Sequence, residues 1–488
     1  MTSVVADDRL FEVGEAQNGT PARASAGEAK TFRPYDQSQT FLLPPSLDDW
    51  LPEDHPARFV SEAVEEMLDL SVIYASYAEA SGAPPYDPRM MLKLLLYAYS
   101  IGVTSSREIE RRCGTDVAFR WLTANAAPDY RSVARFRRRH LGALDSLFVQ
   151  VLALCAQAGL VKLGRVALDG TKLRASASRH KAMSHDRLGP RIAEIEAQVR
   201  DLLAEAEAAD AAEDEAFGKG RRGDEVPAEL ARRESRLAKM RAAKEAIEAE
   251  ARDKAAQVAD DKARRKGKDD AAVVADASTA AATAKPEPRA QRNFTDPDAR
   301  MMKTTDGFHY AYNGQAVVDE QAQVILATEA VQCAADVGQL FDMVEAAEAN
   351  LAEAGVEGRP DVVLADAGYC SEGNLATAAA GEIDMLIATG RLKHSEWVPD
   401  APRGPIPKDA TARGRMARRL RTKKGRADYA RRKAIVEPAF GQMKVRQRAG
   451  HLRLRGLAGA KGEWTLHAIC HNLRKLANAG TATPVAVA

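Results

Sequence analysis

Two short apolar runs, each closed by an aspartate and a small residue, constrain this chain more than any other feature in it. One is Arg165-Val166-Ala167-Leu168, followed by Asp169-Gly170-Thr171. The other is Asp361-Val362-Val363-Leu364-Ala365, followed by Asp366-Ala367-Gly368-Tyr369. Short apolar runs bounded by turn formers fit buried strands. If the two strands are neighbours in one sheet, both carboxylates emerge at one edge, where ligand sites gather in α/β folds. Two close carboxylates repel, and each raises the other's pKa unless a cation neutralises them. Mg²⁺ suits hard oxygen ligands and phosphate substrates. A third carboxylate would complete a two-ion site for phosphoryl chemistry.

The third candidate comes from the charge distribution. The net charge is only +1, yet residues 401–460 hold 18 Lys/Arg and only 3 Asp/Glu. Screening limits a phosphate backbone to sensing charge within roughly 8–10 Å, so the local surplus is what matters. Glu437 is one of the three acids. Lys444 lies two helical turns further on, on the same face. Pro438 suggests a helix that starts or kinks here, with Glu437 near its N-terminus. Around it stand Tyr429, Arg432, Lys444, Arg446 and Arg448, cations able to grip phosphates while the acid grips metal. Each acid alone has a plainer reading. An aspartate after a strand is commonly a turn residue or helix cap, and Glu437 could be a surface ion-pair partner.

The rest of the chain falls into blocks. Residues 1–31 read as a loose tail, as do 479–488. Residues 32–160 read as a helical domain. Pro88 opens one helix, and Thr104, Ser105 or Ser106 opens another, with Glu108 suggesting a capping box. A third follows Asp129 and puts Arg131, Arg135 and Arg138 on one face, a candidate DNA surface. Residues 181–256 read as an inserted helical hairpin with apolar stripes Ile192-Ile195-Val199-Leu202-Leu203 and Leu230-Leu237-Met240-Ile247, turning over Gly218–Pro227. Residues 257–290, poor in large apolar groups, read as a flexible linker. Segments 161–180 and 291–478 make the α/β domain. No signal peptide is evident and the most apolar stretch, Leu147–Val161, is too short to span a membrane, which suggests a cytoplasmic protein. Five scattered cysteines without a CxxC pair speak against disulfides or zinc.

Four pieces together resemble the DDE transposases of bacterial insertion sequences. They are Val166–Lys172; Asn293–Met301 leading to Gly307-Phe308 and Tyr312–Asp319; Val363–Tyr369; and Tyr429–Arg432 with Val436–Gly441 and Lys444. The last is similar to that family's Tyr/Arg/Glu/Lys signature, and region 41–160 is similar to the helical domain that precedes such cores. The resemblance implies a ribonuclease H-like mixed sheet with flanking helices. It also implies an enzyme that binds transposon ends, hydrolyses a phosphodiester there and transfers the freed 3′ hydroxyl to target DNA. Asp169, Asp366 and Glu437 would be its ligands for Mg²⁺ (or Mn²⁺), and Tyr429, Arg432 and Lys444 its contacts to the end. A homodimer on paired ends and association with the nucleoid follow from the same likeness. One departure stands out: four residues separate Arg432 from Glu437 where other branches have three. Counting back from Glu437 puts Lys433 in the arginine's place, and Arg431 or Lys433 could share the phosphate contact. A DNA-binding derivative without catalysis and a plain nuclease on the same fold are the alternatives.

Other polar residues have plainer readings. Asp296 and Asp298 read as a turn entering strands. His309, and His467 with His471 at helical spacing, read as packing or polar contacts in the absence of a matching Cys or His cluster. Trp464 and Leu466 read as core, and Asp384 as structural.

Overall fold

The computed structural model describes residues 46–77, 85–217, 228–381, 383–390, 400–407 and 409–480. Its first apolar run lengthens into β1, Arg165–Arg174, so Asp169 lies within a strand and not just after one. The reason is the partner on one edge. β5, Gly307–Asp319, pairs antiparallel with β1 along its whole length beyond Arg165, with Asp169 opposite Ala316 and Gly170 opposite Gln315. On the other edge β7, Val362–Ala365, pairs parallel with β1 only as far as Leu168↔Ala365. Seen from β7, the run does end at the acid.

The sheet is mixed and has six strands. β8, Asp384–Ile387, lies parallel outside β7. The far edge of β5 is shared by β4, Arg300–Thr304, at its start and β6, Ile325–Val331, towards its end. Two further strands, β2 (Ala182–Ser184) and β3 (Gln291–Asn293), form a separate ribbon.

The helical region contains α1, Pro88–Ser100; α2, Ser106–Thr115; α3, Tyr130–Arg139; and α4, Ala143–Gln157, with short helices before and between them. Asp129 caps α3 by accepting from the Arg131 and Ser132 backbone N–H groups. The capping box at α2 does not form: Ser105 makes no side-chain cap bond, and Glu108 instead takes hydrogen bonds from Arg111 and Arg112.

The closing helix holds the two halves together. Leu457–Asn478 is buried all round from Gly462 to Leu473, as expected of a helix with apolar neighbours on every side. It packs on β6, α1 and α4, and one continuous apolar core runs from Leu51 to Leu476. Trp464 and Leu466 are in that core. A buried polar knot lies at the same junction. Tyr99 donates to Glu463 at 2.9 Å, Arg137 donates to the Tyr99 hydroxyl at 2.5 Å, and Glu463 accepts from the backbone N–H groups of Arg453 and Leu454. Gly102 has a φ of +79°, and a Cβ there would overlap the Arg446 carbonyl oxygen, so this junction requires glycine.

Between β2 and β3 lie α5, His185–Phe217, and α6, Ala228–Arg265. They pack through Leu188, Ile192, Ile195, Leu237, Met240 and Ile247, whereas Leu203 is exposed. Residues 257–290, which composition suggests as a flexible linker, contain the end of α6 and α7, Asp270–Thr283. Alanine has the best helix propensity, Asp269 caps α7, and Val273 is buried. These offset the lack of large apolar side chains. The tail over 1–31, residues 481–488 of the tail over 479–488, and the turn Gly218–Pro227 lie outside the described residues. No single helix among the described residues is long and apolar enough to cross a membrane.

Candidate active site

Asp169 and Asp366 are the first residues past the last β1–β7 pair, so the parallel register brings them side by side. Asp366 accepts the Gly368 N–H at 2.7 Å and caps the 3₁₀ turn Ala367–Tyr369. Its plain role as a turn cap and its place beside Asp169 therefore coexist. Burial pushes the Asp169 carboxyl above its ordinary range. The Arg432 guanidinium opposes this, and the nearby Asp366 charge adds to it.

Arg432 is on the long helix Lys423–Val445, which Thr422 caps. The helix runs through Pro438 without ending, so Glu437 is mid-helix and not near an N-terminus. Proline cannot donate to the carbonyl four residues back. Here the Ala434 carbonyl accepts instead from the Gln323 side-chain amide at 3.0 Å. The helix is fixed to β1 by buried Asp428, which accepts from Arg165 at 2.7 Å; Arg165 also reaches Glu320, which pairs with Arg431.

This arrangement distinguishes the three adjacent cations. Arg431 is bound to Glu320, and Lys433 is exposed. Arg432 points inward, and its Nη1 donates to Asp169 Oδ2 at 2.8 Å. It is 9% exposed, so the structure turns this expected DNA contact towards the carboxylates. Tyr429 is close by, its hydroxyl pKa raised by burial and by the charges of Asp366 and Asp169 against the pull of Arg432. Burial depresses the Lys444 pKa while Asp169 acts to raise it, which places Lys444 within electrostatic reach of the site. Arg446 and Arg448 are exposed.

Glu437 is exposed on the helix face it shares with Lys444. It is not drawn onto the two aspartates: among the described residues, no three His, Cys, Asp or Glu side chains come within joint reach of a metal ion. The aspartate pair itself suits a divalent cation, because two neighbouring carboxylates, one of them resisting ionisation, gain from a positive charge between them.

Sequence reasoning missed one acid at this end of the sheet. Asp336 accepts from the side-chain amides of Asn313 at 2.6 Å and Gln315 at 2.8 Å, with Lys172 3.6 Å away. The Asn-x-Gln spacing on β5 was the available signal, because i and i+2 side chains share one face of a strand.

The remaining candidates are placed elsewhere. Buried Asp296 accepts from Tyr312 and from the Gly456 N–H, and Asp298 accepts from the Leu457 N–H, so the Asp-Pro-Asp turn holds the start of the closing helix. Burial lowers His467 to about 3 and His471 to about 4; both are neutral packing groups, His467 against Tyr99 and His471 against the Gln323 carbonyl. His309 contacts Arg174, and Asp384 pairs with Arg419. On α3, Arg131, Arg135 and Arg138 are all exposed, while Arg137 is in the buried knot.

A mixed sheet with two acids side by side on adjacent parallel strands, flanked by helices, is the ribonuclease H-like architecture of DDE enzymes. Comparison with protein families agrees. Residues 45–139 match the transposase domain (DUF772), and residues 267–473 match the transposase DDE domain. The chain belongs to the DDE transposases of insertion-sequence type and is an enzyme that acts on DNA. Asp366 and Glu437 lie inside the second matched stretch; Asp169 lies between the two. Searches among curated proteins and solved structures found no match.

Proposed function

We propose that this transposase cuts DNA at its element's ends and joins them to a target, with Asp169, Asp366 and Glu437 as carboxylate ligands for Mg²⁺ or Mn²⁺. The observation that carries this reading is the register of β1 and β7, which sets Asp169 beside Asp366 under the Arg432 guanidinium. When bound, such ions activate the attacking oxygen and stabilise the leaving one. Glu437 supplies the third carboxylate from the helix face on which Lys444 already senses Asp169.

The chain's own groups do the rest. Arg432 holds Asp169 in one rotamer and limits the rise in its pKa. Tyr429 and Lys444 receive the scissile phosphate at the rim, and Arg446 extends that contact along the backbone. Arg131, Arg135 and Arg138 grip flanking duplex through phosphates, which position DNA without reading its sequence. Two copies on paired ends would supply the two active sites that two ends need.

The test is cleavage and joining of a duplex carrying the element's ends, in Mg²⁺ and in Mn²⁺. Replacing Asp169, Asp366 or Glu437 by Ala should abolish both steps and leave end binding in a gel shift intact. Normal cleavage by Asp366→Ala in Mg²⁺ would sink the assignment.

A further inference from the structure

The acid missed in the sequence has an unusual local geometry. Asp336 stands at the N-cap position of the 3₁₀ turn Val337–Gln339, where an aspartate ordinarily accepts that turn's N–H groups. It makes no such bond. Its side chain instead reaches the two fully buried amides of Asn313 and Gln315. Space for this comes from Gly170: a Cβ there would lie within 2.6 Å of both Gln315 Nε2 and Asp336 Oδ1. Alternation along β1 puts Gly170 and Asp169 on opposite faces, so the cluster backs the strand behind the catalytic acid.

From Asp336 a chain of polar contacts leads to Asp366. Gln315 donates through Nε2 to Asp336 and accepts through Oε1 from the hydroxyl of Tyr369, which is fully buried. An acceptor oxygen at Nε2 fixes which way the Gln315 amide faces, and so fixes the Tyr369 hydroxyl as a donor. Tyr369 ends the turn that Asp366 caps. The Asn374 amide closes the loop by donating to both the Val337 and the Tyr369 carbonyls. Acting through Gln315 and Tyr369, Asp336 holds the Asp366 turn, and its Oδ2 lies against Gly368 of that turn, next to Asp366 Oδ1.

We infer that Asp336 is a positioning residue for the transposase reaction, fixing Asp366 against Asp169 through the Gln315–Tyr369 relay. This rests on the reading of Asp366 as catalytic. Displacing a reacting group by about 1 Å costs about 10²-fold in rate, so Asp336→Ala should lower kcat about 10–100-fold. The KM for end DNA should be unchanged.

The experiment is a double-mutant cycle on the full chain, measuring single-turnover cleavage of the end duplex in Mn²⁺ alongside thermal melting. Tyr369→Phe should reproduce the loss, and Asp336→Ala/Tyr369→Phe should lose no more than the worse single variant. Asp336→Asn, which still offers an acceptor oxygen to both amides, should recover most of the activity. Additive losses, a wild-type rate for Asp336→Ala, or Asp336→Asn as slow as Asp336→Ala would each overturn the inference. If Asp336→Ala melts early, the cycle of Gln315→Leu with Tyr369→Phe asks the same question. Asp366→Ala run in parallel separates the two readings: its activity would refute the triad, whatever Asp336 does.

Discussion

Arg432 and Asp169 are 263 positions apart in the chain and 2.8 Å apart in space. Their contact joins the basic helix to the central strand, and it accounts for several properties of the site at once. The cation holds one catalytic candidate in place and moderates the repulsion between two. It also gives a buried arginine its counter-charge on a helix whose other basic groups, Lys444 apart, are exposed.

Removing one member of this pair leaves a mostly buried charge without its partner. A fully buried pair broken in this way costs about 3–5 kcal/mol. Asp169 keeps 21% exposure, so about 2–3 kcal/mol is expected for Arg432→Ala. Urea unfolding measures this. The double variant Asp169→Leu/Arg432→Met should regain most of the stability and none of the cleavage, because an apolar pair of similar volume can replace a buried ion pair.

The pH dependence of cleavage should report the same contact. Burial raises the Asp169 pKa and Arg432 works to lower it, and only the ionised carboxylate can hold a cation. Without Arg432 the folded pKa rises further, so ionisation needs a higher pH. The acid limb of the cleavage profile of Arg432→Ala should therefore move to higher pH than that of the wild type. A limb that stays in place, or moves to lower pH, would contradict the assigned electrostatics.

The exposed arginines of α3 make a salt-dependent prediction. Each phosphate neutralised contributes a slope of about −0.9 to log K against log salt on B-form DNA. Replacing Arg131, Arg135 and Arg138 together with Gln should shallow the slope by about 2–3, equally for end and random duplexes. Gel shifts over a salt series measure it; an unchanged slope would mean that this face is only solvated.

Glu463 tests whether the helical region and the sheet unfold as one. It is fully buried and bonded to Tyr99 and to two backbone N–H groups. Glu463→Ala strands those donors, each at about 1–3 kcal/mol. Circular dichroism and tryptophan fluorescence should share one midpoint, shifted down from that of the wild type. Separate transitions would mean that the two halves are independent.

The sequence by itself determined the two apolar runs that belong to β1 and β7, the acid that closes each run, and where the basic charge lies. Those signals are local: an apolar run, a turn former and a cluster of like charges are visible within ten residues. The pattern at Asp-Pro-Asp was legible for the same reason. Tertiary structure alone decided how the segments meet. Asp169 lies within its strand because β5 runs on past it, a pairing with residues some 150 positions away. Pro438 leaves its helix unbroken because Gln323, from a distant hairpin, takes the carbonyl it cannot serve. Among three adjacent cations, Arg432 was chosen for Asp169 by the rotation of a helix locked at Asp428. The two aspartates that open the chain's first constraint are thus brought together by strand register. Arg432 is turned onto Asp169, and Asp336 onto Asn313 and Gln315, by packing between segments far apart in the chain.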